Sequence, residues 1–179
     1  MGEQPTIDQT ANMIRDGQVE RDATRLFESH EQREGNSPLP PDEADWVVPL
    51  ATWTTHRWQL RARRHLVGIQ ISPDDDVSAL VNDPSEGSCA WAHGIAFIAV
   101  HFPVYTDGRG FSLAQLLRGH YGWTGEMRAV GDVLIDTVHY LQRCGFSSFV
   151  LKNGHDPFQA LRALVTFSAN YQRSYHRSQ

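Results

Sequence analysis

The sequence predicts an α/β fold. About four mostly parallel strands alternate with helices, arranged as half a TIM-like barrel or as a small doubly wound sheet, behind an N-terminal arm that holds a hairpin. Three observations lead there. From residue 66 onward strand and helix patterns alternate regularly, which implies parallel pairing through right-handed crossovers. Ile95 to Val100 is apolar on both faces, as in a parallel strand covered by helices. At 179 residues, with 40% hydrophobic, 10% aromatic and 21% charged residues, the chain has the size and apolar mass of one ordinary domain. The expected division is residues 1–45 as an acidic arm with hairpin and linker, and residues 46–179 as a single α/β domain.

In chain order, Met13 to Val19 has Asp16-Gly17 at its centre, the signature of a small hairpin. Glu28 to Asp45 is acidic, carries Pro38, Pro40 and Pro41, and reads as a linker. Trp46, Leu50 and Trp53 fall at i, i+4 and i+7, which predicts a helix from about Pro49 to Arg63. Leu66 to Ile71 alternates as a strand, and a short helix or turn follows from Asp74 through Asn82. After the strand at 95–100, Ser112 and Gln115 fit a capping box that opens a helix ending near Gly122. Glu126 to Val130 is the next strand. Leu134, Val138 and Leu141 mark the next helix, with Gly145 as its terminating glycine. Ser148 to Leu151 is the last strand. Asp156, Pro157 and Gln159 agree on the start of a final helix reaching toward Tyr171.

Charge and cysteine usage exclude several classes of function. Net charge is −5, and residues 1–45 hold 11 acids against 4 arginines. That front end is the opposite of a nucleic-acid-binding face. No apolar run is long enough to span a bilayer. The first residues, Met1 to Pro5, are polar and unlike a signal peptide, so the expected compartment is the cytosol. Cys89 and Cys144 cannot hold an iron–sulfur cluster or a cysteine-rich zinc site between them. Cys144 is expected to pack as a small hydrophobe. The nine histidines form no H-E-x-x-H or H-x-H pair, and no Walker loop, G-x-G-x-x-G or G-x-S-x-G occurs. The chain therefore names no nucleotide, metal or cluster, and its cofactor is unknown.

In either architecture ligands collect at the carboxyl ends of the strands. Three loops are expected there. Phe102 to Ser112 is long, and its Gly108-Arg109-Gly110 segment can bring a guanidinium and backbone amides to one anion. The competing reading is a turn at Asp107-Gly108 with Arg109 paired to a local carboxylate. Gly131 followed by a helix start offers exposed amides to an anion, whereas Asp132 as an N-cap would fill that place itself. Arg128 shares a strand face with Glu126, and in a barrel-like curve that face points inward. A structural pairing of Arg128 with an acid is the alternative. The third loop, Lys152 to Asp156, carries a lysine, an amide and a histidine.

A longer string runs through these loops. Phe102-Pro103-x-Tyr105-Thr106-Asp107-Gly108-Arg109-Gly110-Phe111-Ser112 is followed by Leu116-Leu117-Arg118 and Tyr121-Gly122. Gly125-Glu126-x-Arg128-Ala129-x-Gly131-Asp132-Val133-Leu134 and Arg143-Cys144-Gly145-Phe146 complete it. Together these resemble the bacterial domain-of-unknown-function family 934, over roughly Trp46 to Gln172. Its members are described as candidate oxidoreductases linked to sulfite reduction. Two positions depart from the family pattern: Thr137 stands where it usually has Gln, and Ser147 where it usually has an acid.

The resemblance implies an accessory of assimilatory sulfite reduction that binds a small oxyanion or sulfite reductase itself. Nothing in the chain stores electrons, so such a protein acts through a partner reductase or a borrowed flavin. A second reading is an independent half-barrel enzyme on a phosphorylated or sulfated metabolite. Its candidate catalytic residues are Asp107, Arg109, Asp132 and Asp136, and its candidate ligand contacts are Gly108, Gly110, Ser112, Arg128 and Gly131. A third is a non-catalytic interaction module whose acidic arm docks a basic partner. A half barrel has open edges, and a homodimer is one way to close them.

Overall fold

The structure, a computed structural model, describes residues 11–28, 39–81 and 90–166. Cys89, the middle of the expected linker, Asn82 and the expected reach of the last helix to Tyr171 lie outside the described residues. Eight strands form one sheet: β1 (Met13–Arg15), β2 (Gln18–Glu20), β3 (Arg25–Leu26), β4 (Trp46–Pro49), β5 (Val67–Ile71), β6 (Ile95–Phe102), β7 (Glu126–Gly131) and β8 (Ser148–Val150). Their order is β2-β1-β8-β7-β6-β5-β4-β3. Strands β3 to β8 are parallel neighbours in chain order, and β1 runs antiparallel to both of its neighbours, β2 and β8. A doubly wound sheet reverses its strand order partway, and this one does not. The fold is a curled, singly wound half barrel.

The helices are α1 (Leu50–Arg61), α2 (Ser78–Val81), α3 (Arg109–Gln115), α4 (Val138–Arg143) and α5 (Pro157–Thr166). One large core joins them to the convex face of the sheet. Val48, Ile69, Ile98 and Met127 meet Leu50, Trp53, Leu80, Ala114, Leu117, Leu141 and Ala160, all buried. The concave face carries only a small apolar patch, Val47, Phe97 and Ala99. None of the helices within the described residues is long and apolar enough to cross a membrane.

Curling follows from chain length. A flat eight-stranded sheet holds its edge strands about 34 Å apart. Yet β2 and β3 are those edges, and only residues 21–24 join them. Five Cα steps reach at most about 18 Å. The margins must therefore turn toward each other, with residues 21–24 as a strap across the gap.

Arg128 fixes that curl. In register, Ala99, Arg128, Ser148 and Arg15 form one row across the concave face. The Arg128 side chain is 2% exposed. Its Nε and Nη2 donate to Glu126 Oε1 at 2.9 and 2.7 Å, and its Nη1 donates to Asp22 Oδ1 on the strap at 3.2 Å. Ser148 Oγ donates to the same Glu126 oxygen at 2.6 Å. The guanidinium lies 3.9 Å from the centre of the Phe97 ring. A charge this deep is tolerable only when paired and hydrogen-bonded, and here it is both.

Several elements differ from the sequence expectation. Trp46 belongs to β4 and not to α1, because the chain stays extended up to Pro49. Strand β3 and strand β4 have no counterpart among the expected strands. Helix α3 begins at Arg109, so Ser112 sits inside it and caps nothing. Asp107 takes the Arg109 amide instead, at 3.0 Å. A π-helical turn, Leu116–His120, continues α3. The hairpin turn is as expected: Asp16 and Gly17 adopt φ of 50° and 75°, the twist a two-residue hairpin needs. Asp156 Oδ1 accepts the Phe158 amide at 2.9 Å and caps α5.

The π turn places Arg118 between two segments. Its Nη1 donates to the carbonyls of Trp123 and Gly125 at 2.7 and 2.8 Å, and Nε and Nη2 donate to Gly145 O at 3.0 and 2.8 Å. One side chain thus ties the end of α4 to the turn before β7. Burial lowers its pKa from the ordinary arginine value. Cys144, which precedes Gly145 in sequence, packs against the core, and burial pushes its thiol pKa up.

Two outcomes follow in chemical denaturation. Arg128→Met removes the cation between Glu126 and Asp22, leaving Glu126 only Arg15 Nη1 at 4.0 Å, and is expected to cost about 3–5 kcal/mol. Arg118→Lys cannot reproduce the fork and is expected to cost about 2 kcal/mol. Unchanged urea midpoints would contradict these roles.

Candidate functional site

The strand-end loops do come together, and carboxylates join them. Gly131 makes this geometry available. Its φ is +95°, and a Cβ there would run into the Phe102 carbonyl, which accepts the Asp132 amide at 2.8 Å. Asp132 therefore points back across the loops. Its Oδ2 accepts the Tyr105 amide at 2.9 Å, and its Oδ1 pairs with Lys152 Nζ at 2.7 Å. The Lys152 amide in turn donates to Val133 O at 3.0 Å. One aspartate links the loops that follow β6, β7 and β8. It does not cap α4. Ahead of that helix, Thr137 Oγ1 accepts the Leu134 amide at 3.3 Å and donates to Leu134 O at 2.8 Å, which closes the 3-10 turn Ile135–Thr137.

Arg109 makes the second link. Its Nη2 pairs with Asp107 Oδ2 at 2.7 Å and its Nη1 with Asp74 in the loop after β5. These carboxylates push the guanidinium pKa further up, Asp107 most. The loop thus takes the form of a turn with a locally paired arginine. Beneath it, the space enclosed by Phe102, Tyr105, Phe111, Asp132 and Thr137 is too small for a water molecule.

The remaining candidates are dispersed. Gly108 precedes α3 and is exposed, while Gly110 is buried against the Phe102 ring. Ser112 and Asp136 are both exposed, on α3 and on the 3-10 turn Ile135–Thr137. Arg128 faces the concave interior as expected for a curved sheet, but it meets Glu126 and Asp22 and none of the strand-end residues. Arg109 and Arg128 share no partner. Ser147, at the other departure from the family pattern, accepts the Met127 amide through Oγ at 3.2 Å and so braces β7.

Lys152, Tyr105, Asp74 and Asp22 complete these networks without having been candidates. Lys152 was visible as the single lysine of the chain. The Tyr105 contribution is a backbone amide, which no residue type announces.

Both pinning carboxylates are held below the ordinary value of 3.8. The cause is chiefly the Lys152 hydrogen bond for Asp132 and the Arg109 hydrogen bond for Asp107. A carboxyl whose folded pKa is depressed contributes stability above its unfolded pKa and loses it as pH falls through the folded value. Asp132→Asn is therefore expected to lower the urea midpoint at about pH 7, with the difference from wild type narrowing as pH falls below the ordinary carboxyl value of 3.8. A difference that stays constant with pH would contradict the Asp132–Lys152 link.

The family model described as "Bacterial protein of unknown function (DUF934)" matches residues 68–179. No curated protein and no solved structure matches the chain. The matched segment runs from within β5 to the last residue and contains both strand-end links and the Arg118 clamp. Covering more than half of the sequence, it shows that the chain belongs to this bacterial family of unknown function.

Proposed function

We propose that the protein is an accessory of assimilatory sulfite reduction that works by docking on a partner reductase through its strand-end surface. The pathway rests on the resemblance of its motif string to proteins described in that context. The mode of action rests on one observation: the strand-end loops are pinned to each other by ion pairs and leave no ligand-sized space beneath. Asp132 holds the Tyr105 backbone, and Val104 and Tyr105 stand 51% exposed on that rigid loop. Lys152 and Arg109 flank them, each with 55% of its side chain exposed. A pre-ordered apolar tip within charged surroundings is the usual form of a protein contact, since little conformational entropy is lost on binding.

An enzyme acting at the strand ends needs a pocket there and an arginine able to release its carboxylates. The doubly paired Arg109 favours docking over that reading.

A strain lacking the protein is expected to grow poorly on sulfate as sole sulfur source and normally on sulfide. The purified chain is expected to retain the sulfite reductase hemoprotein, and the double variant Val104→Ser, Tyr105→Ala to lose at least ~90% of it. Normal growth of the deletion strain on sulfate overturns the pathway. Equal retention by the double variant overturns the surface.

A further inference from the structure

The concave side of the sheet contains a cavity of about 520 Å³, at the opposite end of the strands from the loops just described. Its walls come from the starts of β4 to β7: Trp46, Leu66, Phe97 and Glu126 among them. The strap, residues 21–24, closes one side. The size is that of a metabolite pocket.

The charges in its lining fall into two groups. Arg128 is satisfied by Glu126 and Asp22, and Arg15 Nε pairs with Glu20 Oε1 at 2.7 Å. These two positive groups are already matched. Arg21 on the strap and Arg64 at the approach to β5 also line the cavity, and both residues are exposed. Neither guanidinium has a hydrogen-bond or ion-pair partner among the described residues, although the Arg64 amide is held by Asp42 at 3.1 Å. His65 beside Arg64 is already engaged by Asp42, its Nδ1 3.2 Å from the Asp42 carbonyl oxygen. Asp45, also in the lining, is the one carboxylate there whose side chain has no partner among the described residues.

The open mouth therefore carries two unmatched positive groups against one negative group, above a floor where Arg128 covers Phe97. We infer that this cavity binds a metabolite-sized ligand bearing an oxyanion, held by Arg21 and Arg64 with the strap over it. Two like charges lining one mouth repel each other, and an oxyanion held there offsets that repulsion and supplies charge-assisted hydrogen bonds. Carboxylate, sulfate, sulfite and phosphate groups share this chemistry. The inference does not depend on the docking reading, because it concerns the other end of the sheet and is tested on the purified protein alone.

The test is calorimetric titration of the full chain at low ionic strength with sulfate, sulfite, phosphate and succinate in separate arms. At least one is expected to bind saturably. Arg21→Gln and Arg64→Gln together are expected to weaken that ligand at least about tenfold, with melting temperature unchanged because both residues are exposed. Asp45→Asn is expected to tighten it at least about twofold by removing a like charge, an effect that a purely structural role would not produce. The preferred arm identifies the anionic group. Absence of saturable binding in every arm overturns the inference, as does an affinity untouched by the double variant.

Discussion

The fold depends on one buried guanidinium. Arg128 stands on the middle strand of the concave face and reaches a carboxylate on its own strand and another on the strap. Without it, Asp22 would lose its cation and Glu126 would keep only Arg15 Nη1, 4.0 Å away. With it, the two margins of an open sheet are held at the separation the strap allows. The apolar core on the convex side supplies most of the burial, yet it is indifferent to curvature. The ion pair between strap and β7 is what couples the first residues of the sheet to its centre.

A half barrel of this kind leaves its concave face without a covering layer. Proteins usually solve that with more strands or a second copy. Here the N-terminal segment supplies both margins: the hairpin β1–β2 seals the side of β8, and β3 seals the side of β4. The segment most acidic in composition therefore contributes structure, and one of its acids, Asp22, contributes the contact that reaches inside.

Much of the architecture was legible because its signals are local. Strands β5 to β8 announce themselves by apolar runs, and α5 by Asp156, Pro157 and Gln159. Strand β4 was not, because Trp46, Leu50 and Trp53 satisfy a helical period although the chain bends from strand to helix at Pro49. Strand β3 has two residues, too few for any period. Of the candidate site, the strand-end loops were legible as a group, since a parallel sheet sends them to one end. Their partners were not. Asp22 meets Arg128 across 106 residues of chain, and Asp74 meets Arg109 across 35. Such pairings depend on curvature and loop direction, which residue spacing does not encode. Arg118 lies within the Leu116-Leu117-Arg118 string, but its carbonyl acceptors carry no side-chain signature.

The pairing of β1 with β8 also governs how the molecule is made. Met13 lies opposite Val150, so the first wall segment to leave the ribosome waits for one of the last. Until β8 emerges the hairpin has no neighbouring strand, and β4 to β7 can assemble with one side bare. Completion of the wall therefore waits until β8 has been made, and the nascent chain passes through a stage with an unpaired strand edge, a state prone to self-association.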